Sequence, residues 1–200
     1  KTIMAFNLEH WDNPRETIAT VYKNNDMAYV THGILCAYEI LKILDKKPSE
    51  LKNKTCLDYG CGTGKNTRAI QYFFANSVGY DPVDSCIVYA HREFDTIIKH
   101  EPAFPDKLNL LDPATLQFTS KLEDIINTEY DVTFAHNVIE HLFHDEQMAA
   151  VNNMLKMTKK GGAVIFNTFI ERSIELIKYY EAKNSLEVDF NFGYYTILKK

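Results

Sequence analysis

The sequence predicts an α/β fold: a doubly wound, mostly parallel seven-stranded sheet with helices on both faces and a C-terminal antiparallel hairpin. Two observations support this prediction. Short apolar segments alternate with segments of helical periodicity along most of the chain, and a turn with three glycines follows the first predicted strand and precedes a helix. In sheets of this kind, ligands bind beyond the carboxyl ends of the parallel strands.

Length, composition and charge favour a single domain without a nucleic-acid or membrane surface. The chain has 200 residues, of which 46% are hydrophobic, and this suffices for one core. We expect residues 1–50 to form a helical cap and residues 51–200 to form the ligand-binding core. The net charge is −5 and lysines alternate with acids, which disfavours nucleic acid as a partner. No apolar run approaches the roughly 20 residues of a membrane span.

The four cysteines, Cys36, Cys56, Cys61 and Cys86, lie far apart in the sequence. Their spacing fits neither a zinc site nor a disulfide scaffold, so we expect reduced thiols and no metal. Since the N-terminus also lacks the charged and apolar regions of a signal peptide, we expect a cytoplasmic protein.

Two helices are predicted before the first strand. Asn13 and Pro14 supply a capping amide and a first helical position for a short helix. From Val30 to Leu44, apolar residues recur at helical spacing, which predicts an amphipathic helix packed on the sheet and ended by Pro48. The apolar positions of this second helix are Ile34, Leu35, Tyr38, Leu41 and Leu44.

The later elements alternate along the chain. Strands are predicted at residues 55–59, 77–80, 116–119, 131–135 and 163–166, and helices at residues 66–75, 83–94, 145–157 and 172–182. A turn is predicted at residues 159–162, and two antiparallel strands are predicted in the aromatic tail, residues 186–198. Because the carboxyl ends of parallel strands meet at one edge of the sheet, four residues are expected to lie close together there: Tyr59, Asp81, Thr119 and His136.

The glycine turn and the acid after the second strand predict a nucleoside-type ligand. Gly60, Gly62 and Gly64 permit a tight turn and close approach of a ligand to the backbone, and amides at the start of the following helix can bind an anionic group. Asp81 ends the next strand, where a carboxylate can accept both hydroxyl hydrogens of a ribose.

Two other interpretations of the glycine turn stay open. One is a plain connection between a strand and a helix. The other is a nicotinamide dinucleotide site, but its fingerprint requires Gly or Ala where this chain has Lys65. Asp58, at the mouth of the turn, would repel a phosphate and attract an ammonium group.

Four segments resemble the motifs of class I S-adenosylmethionine-dependent methyltransferases, in the same order. Leu57–Gly64 looks like their glycine motif, and Gly79–Asp81 like their ribose motif. Tyr130–Leu142 and Lys159–Phe166 are similar to their fourth and fifth strands. The resemblance covers residues 51–166 and implies a Rossmann-like fold that binds S-adenosylmethionine and releases S-adenosylhomocysteine.

The resemblance implies roles for particular residues. The backbone of Gly60, Cys61 and Gly62 would contact the methionine part of the cofactor, Asp58 its amino group and Asp81 its ribose. His136 would lie near the sulfonium. The family's usual acid after the third strand is not evident here, and the adenine would be flanked by Ser120, Lys121 and Leu122. The other residues expected to line the cofactor are Tyr59, Pro82 and Tyr22.

The N-terminal aromatic residues Trp11, Tyr22 and Tyr29 would, by the same resemblance, close over the cofactor. For Tyr29, packing of its helix on the sheet is an equal alternative. The alternating aromatic residues of the tail are more simply read as a hairpin with one buried face than as a platform for bases.

His136 and His141 are the candidate general bases, because histidine is suited to proton transfer near neutral pH and both follow the fourth strand. His141 has an alternative role in anchoring its helix through the backbone, and His144 is expected on a solvated helix face. In some resembling enzymes, two glutamates and a histidine bind a divalent ion. Here Asn137 replaces the first glutamate, which disfavours a metal site with Glu140 and His141.

The sequence therefore predicts a methyltransferase that acts on a small polar biosynthetic metabolite, at oxygen, by direct in-line displacement. Three alternatives remain: an RNA 2′-O-methyltransferase, a catalytically silent cofactor-binding subunit, and a dehydrogenase. The motifs say little about the acceptor or about the oligomeric state.

Overall fold

The computed structural model describes residues 26–92, 116–167, 187–192 and 195–200. Its helices are α1 (Asp26–Leu44), α2 (Pro48–Leu51), α3 (Lys65–Ile70), α4 (Asp84–Arg92) and α5 (His144–Lys156), with 3-10 turns at Leu122–Asp124 and Ile139–His141. Its strands are β1 (Thr55–Tyr59), β2 (Asn76–Tyr80), β3 (Leu116–Thr119), β4 (Tyr130–Ala135), β5 (Thr158–Asn167), β6 (Glu187–Phe192) and β7 (Tyr195–Lys199).

The strands form one seven-stranded sheet in the order β3-β2-β1-β4-β5-β7-β6. Strands β1 to β5 pair in parallel. β7 is antiparallel to both β5 and β6, which gives the predicted C-terminal hairpin. Because β1 has β2 on one side and β4 on the other, the strand order reverses at β1, and the carboxyl ends of β1 and β4 border a crevice.

Helices cover both faces of the sheet, as predicted. Successive residues of a strand point to opposite faces, and in β5 Ile165 joins one hydrophobic cluster while Phe166 joins another. The first cluster contains residues of α1 and Ile70 of α3, and the second contains Met154 of α5. The doubly wound α/β prediction is therefore confirmed.

Helix α1 exists as predicted, but its buried face is rotated from the expected one. Leu35 and Tyr38 are 57% and 59% exposed, whereas Cys36 and Ala37 are buried in the first cluster with Ile40. Every turn of this helix carries apolar residues on more than one side, so hydrophobicity alone did not decide which side packs. The small side chains of Cys36 and Ala37 allow the helix to lie close to the sheet.

Two predicted boundaries were wrong. The helix after the glycine turn ends at Ile70, well before residue 75, and hydrogen-bonded turns follow it. The predicted turn at residues 159–162 lies inside β5: Tyr130 pairs with Thr158, and the regular register resumes only where Val132 pairs with Ala163. Glycines mark an irregularity within a strand as readily as a turn between elements.

Several predictions lie outside the described residues: the helix after Pro14, the lid residues Trp11 and Tyr22, and the helix at 172–182. The division into a cap and a core stays a prediction. In the described part of the chain, no helix is both long and apolar enough to cross a bilayer.

Candidate active site

The carboxyl edge of the sheet brings together most of the residues singled out in the sequence. β1 ends at Tyr59 and β4 at Ala135, so the glycine turn and His136 lie on the two sides of the crevice. Asp81 follows β2, the other neighbour of β1. This crevice is the position at which open α/β sheets bind their ligands.

The amides of the glycine turn are satisfied within the protein. Gly60 and Cys61 both donate to the carbonyl oxygen of Tyr80, at 2.7 and 2.8 Å. The amide of Gly62 donates to Oδ2 of Asp81 at 2.8 Å. These three amides are not available to an anionic group, which leaves the carbonyl oxygens and Cα atoms of the turn for a ligand. Carbonyl oxygens accept hydrogen bonds and therefore suit a cationic donor such as an ammonium group.

Glycine is required at two positions of the turn for different reasons. Gly60 has a φ of +81°, and a Cβ atom there would lie 2.5 Å from Cγ2 of Val138, so the turn packs directly on the segment after β4. Gly62 has a φ of +53°, and no atom of the other described residues, apart from its two chain neighbours, lies within 4 Å of the position that a Cβ would occupy. The turn is thus tightly packed at Gly60 and open at Gly62, where a ligand can approach the backbone.

Two buried carboxyl groups flank the turn. Asp58 is 1% exposed, and the hydroxyl of Thr67 donates to its Oδ2 at 2.6 Å. Burial raises the pKa of Asp58 to about 7, although the bond from Thr67 opposes the shift. Asp81 also accepts the amide of Val83 at 3.0 Å, and burial raises its pKa against the two backbone bonds. A cationic ligand would favour the ionised form of both groups.

Helix α1 holds the glycine turn from one side. The hydroxyl groups of Tyr29 and Thr63 lie 2.6 Å apart, and Tyr29 also lies 3.3 Å from the carbonyl oxygen of Thr63. Nζ of Lys65 lies 2.8 Å from Nδ1 of His32. Burial lowers the pKa of Lys65 to about 8. Tyr29, one of the predicted lid residues, therefore packs beneath the turn as part of α1.

His136 has one nitrogen bound and the other without a partner. Its Nδ1 lies 2.5 Å from the hydroxyl of Tyr195 on β7, and its ring meets that of His32 edge-on at 5.9 Å. Its Nε2 is buried and has no hydrogen-bond partner among the described residues. Burial, then the charges of Lys65 and His32, lower the pKa of His136 to about 4, so its imidazole is neutral near neutral pH.

The residues after His136 take up different positions. Asn137 has a φ of +56°, and its amide and side chain pair with the side chain of Asn167 at 2.7 and 2.5 Å. His141 ends a 3-10 turn and is exposed. His144 is exposed at the start of α5, as expected. The structure brings His136 into a buried polar cluster and leaves His141 at the surface.

The segment after β3 lies on the far side of β2 from His136. Thr119 accepts the amide of Lys121 at 3.1 Å and donates to Asp124 at 2.6 Å, which shapes the turn. Leu122 packs against a further hydrophobic cluster, which includes Tyr80 of β2. Ser120 is half-buried, while Lys121 and Pro82 are exposed. This segment can offer an apolar surface to a flat ring at the edge of the crevice.

Residues 35–190 match a protein-family model described as a methyltransferase domain, which accounts for most of the chain. This chain belongs to that methyltransferase family. The predicted enzyme class, a class I S-adenosylmethionine-dependent methyltransferase, is confirmed together with its cofactor. No curated protein sequence matches the chain.

Solved structures of methyltransferases share the fold at low sequence identity. A TehB-like S-adenosylmethionine-dependent methyltransferase from Corynebacterium glutamicum has a TM-score of 0.62 at 17% identity, over 97% of this chain and 100% of that one. Magnesium protoporphyrin IX methyltransferase from Synechocystis, with bound S-adenosylmethionine, has a TM-score of 0.61 at 14% identity, over 99% and 97%. The N-methyltransferase NodS from Bradyrhizobium japonicum has a TM-score of 0.53 at 14% identity, over 76% and 80%. These likenesses concern the fold alone.

The charged groups at the crevice of this methyltransferase suit its cofactor. S-adenosylmethionine carries a sulfonium, an ammonium group and a ribose diol, all of which favour carboxylates and carbonyl oxygens as neighbours. Asp58 and Asp81 are carboxyl groups buried beside the turn, and the described residues leave the space beside Gly62 open for a ligand against the backbone.

Sequence reasoning missed two polar residues of the site. Tyr195 was assigned only to a hairpin with one buried face, and its hydroxyl also contacts Oε2 of Glu39 at 3.1 Å. Glu39 and Tyr195 are 156 positions apart. No local pattern connects residues so distant, and only the insertion of β7 next to β5 brings them together.

Proposed function

We propose that this methyltransferase transfers the methyl group to a hydroxyl of a small polar metabolite, with His136 as the general base. The observation that carries the proposal is the neutral, buried imidazole of His136, whose Nε2 has no partner among the described residues. It stands at the crevice between β1 and β4. A buried nitrogen left without a hydrogen bond is costly and suits a group reserved for a substrate.

We assign the cofactor to the crevice in the orientation that its charges favour. Asp58 and the carbonyl oxygens of the turn at Gly60–Gly62 would hold the ammonium group, and the carboxylate of Asp81 would accept the ribose hydroxyls. Leu122 and its neighbours Ser120 and Lys121 would flank the adenine. Tyr59, whose ring lies 5.0 Å from that of Tyr80, would form the floor.

The protein's contribution to the reaction is positioning and proton removal. When bound, the cofactor supplies an electrophilic methyl group on its sulfonium. Alignment of the acceptor oxygen with that methyl group accounts for most of the acceleration of an in-line displacement. Nε2 of His136 takes the acceptor's proton as the oxygen becomes bonded to carbon, which prevents an unfavourable oxonium product.

Calorimetric titration tests the cofactor assignment. S-adenosylmethionine and S-adenosylhomocysteine are expected to bind with micromolar affinity, and NAD, as the control, is expected not to bind. Binding of NAD alone would contradict the assignment of the crevice. The acceptor is then sought by methyl transfer to a panel of hydroxyl compounds and matched amines of small metabolites. Transfer to amines only would overturn the proposed oxygen acceptor.

An RNA acceptor is less consistent with the charges of the described residues. Lysines line a cleft of about 870 Å³, but this cleft lies at the amino edge of the sheet, away from His136. Of these lysines, Lys54 is paired with Asp131, which also pairs with Lys159 of β5. Strong, salt-sensitive binding of an oligonucleotide would nevertheless favour RNA over a small metabolite.

A further inference from the structure

A chain of three side chains ends at the proposed general base. The hydroxyl of Tyr195 lies 3.1 Å from Oε2 of Glu39 and 2.5 Å from Nδ1 of His136. The three residues come from separate elements: Glu39 from α1, Tyr195 from β7 and His136 from the end of β4. The chain runs from an exposed carboxylate, through a half-buried phenol, to a largely buried imidazole.

The number of hydrogens available on Glu39, Tyr195 and His136 allows one arrangement in which both contacts of the Tyr195 hydroxyl are hydrogen bonds. An ionised carboxylate only accepts hydrogen bonds, and a tyrosine hydroxyl has a single hydrogen to donate. If that hydrogen is directed to Glu39, the oxygen of Tyr195 must accept from His136. Nδ1 of His136 then carries the hydrogen. Since a neutral imidazole has one hydrogen on its ring nitrogens, Nε2 is left with a free lone pair.

We infer that Tyr195 and Glu39 are positioning residues that hold His136 in the Nδ1–H tautomer and so make Nε2 the proton acceptor for methyl transfer. This inference rests on the proposed role of His136 as the base. The buried Nε2 has no partner among the described residues, as expected of a lone pair kept for the acceptor's hydroxyl. The opposite tautomer would direct an N–H group at that hydroxyl and leave no base.

The proton balance of the step is closed by these groups. As the acceptor oxygen forms its bond to the methyl carbon, the bond from carbon to sulfur breaks and its electron pair stays on sulfur. The acceptor's O–H bond breaks, and an N–H bond forms at Nε2. The resulting imidazolium still donates through Nδ1 to Tyr195, and Tyr195 to Glu39, so a carboxylate offsets the new charge through the hydrogen-bonded chain. The imidazolium then releases its proton to solvent.

Other groups that face these three hydrogen-bonded side chains oppose protonation of His136 before the acceptor binds. Lys65 from α3 and His32 from α1 both lower its pKa, after burial. Cys36 on α1 lies beside Tyr195, and burial raises the pKa of its thiol, so it adds no charge. Burial likewise raises the pKa of Tyr195, which keeps its hydroxyl hydrogen for Glu39. The neutral form of His136 is therefore the resting state.

Nitrogen NMR of the imidazole tests the tautomer directly and needs no acceptor. In the full chain labelled with 15N-histidine, at neutral pH, Nδ1 of His136 is expected at the shift of a protonated ring nitrogen and Nε2 at that of an unprotonated one. Its signals are assigned as those lost in His136→Asn. In Tyr195→Phe and in Glu39→Gln, both shifts are expected to move towards a mixture of tautomers. Tyr38→Phe, an exposed tyrosine on the helix that carries Glu39, is the matched control and is expected to leave both shifts unchanged.

A protonated Nε2 in the unaltered protein would overturn the inference, whatever the activity. So would unchanged shifts in both Tyr195→Phe and Glu39→Gln. If an acceptor is found, Tyr195→Phe is expected to lower kcat by about 10-fold or more with little change in KM, because a positioning residue acts through the base. Should the predicted tautomer be present while His136→Asn retains full activity, the proposed base would be wrong and the positioning of the imidazole would still stand.

Discussion

Two aspartates on neighbouring strands, Asp58 on β1 and Asp131 on β4, lie at opposite edges of the sheet in opposite electrostatic surroundings. Asp131 accepts Nζ of Lys54 at 3.1 Å and Nζ of Lys159 at 2.9 Å, together with the amide of Thr55 at 2.9 Å. Burial alone would raise the pKa of Asp131, but the bonds from Lys159 and Thr55 outweigh it and hold the pKa well below its usual range.

Asp58 is more deeply buried, and no lysine or arginine of the described residues forms an ion pair with it. The hydroxyl of Thr67 donates a hydrogen bond to Asp58, and burial raises the pKa of Asp58 to about 7. The difference shows how the two edges are used. At Asp131 the protein supplies the neutralising charges itself, which stabilises the fold. At Asp58, beside the crevice, the carboxyl group is desolvated, and in the proposed binding mode the cofactor brings the charge that stabilises its ionised form.

The largest expected effect belongs to the crevice. We expect His136→Asn to lower turnover by about 10²–10⁴-fold, because the substitution removes the proposed proton acceptor while preserving polarity. Affinity for S-adenosylmethionine, measured by calorimetry, is expected to change little. His144→Asn, an exposed histidine on α5, is the control. Full activity of His136→Asn would mean that alignment of the acceptor suffices for the reaction.

Removing a charge from Asp81 is expected to have the next largest effect. Asp81→Asn should weaken cofactor binding by about 1.5–3 kcal/mol, because it loses charge-assisted hydrogen bonds to the ribose and weakens the bond that holds the amide of Gly62. Calorimetric affinity, compared with that of the exposed control Asp84→Asn, measures the effect. An affinity equal to that of the control would remove Asp81 from the ribose site.

At the amino edge of the sheet, Asp131→Asn is expected to lower the free energy of unfolding by about 2 kcal/mol at pH 7. This loss is smaller than that expected for a fully buried ion pair, because Lys54 and Lys159 are exposed. The folded-state pKa of Asp131 lies below its unfolded value, so its contribution is present above about pH 4 and is lost as the pH falls further. Urea unfolding of the unaltered protein and of Asp131→Asn at pH 7 and pH 3 measures the destabilisation and its pH dependence. Equal destabilisation at the two pH values would contradict the electrostatic origin of the effect.

The smallest expected effect is a pH dependence of cofactor affinity. Burial raises the pKa of Asp58 to about 7 in the free protein. The ammonium group of the cofactor would favour the ionised form of Asp58. Affinity should therefore rise by about 10-fold, or 1.4 kcal/mol, from pH 6 to pH 8 as the group ionises. Calorimetry across this range measures the slope, and Asp58→Asn should bind more weakly and flatten it. A slope that persists in Asp58→Asn would assign the titration to another group.

Sequence patterns predicted much of the fold because the parallel core is encoded locally. The bounds of β1 and β3, the order of the elements and the hairpin all follow from apolar runs separated by turn residues. Patterns of this kind failed where the choice was three-dimensional. The buried face of α1 and the irregularity at residues 159–162 depend on which neighbour each segment meets.

The candidate site divides in the same way. Gly60, Asp58 and Asp81 were identified because short spacing encodes the turn and the strand ends around it. Tyr195 and Glu39 were missed, because their proximity to His136 depends on the position of β7 in the sheet. The polar environment of Asp131, made by the adjacent strand β1 and by β5, was equally beyond local patterns.

The position of β7 also determines when, during folding, Tyr195 can contact the proposed base His136. His136 and Tyr195 are separated by 59 positions, and Tyr195 and Glu39 by 156. Closing such long loops is slow compared with forming the local turns and helices of the parallel core. During synthesis, Tyr195 leaves the ribosome after the glycine turn and the strands on either side of it. The contact between Tyr195 and His136 can thus form only when β7 docks between β5 and β6. A chain in which the glycine turn has already formed would therefore still lack the proposed base in its required tautomer.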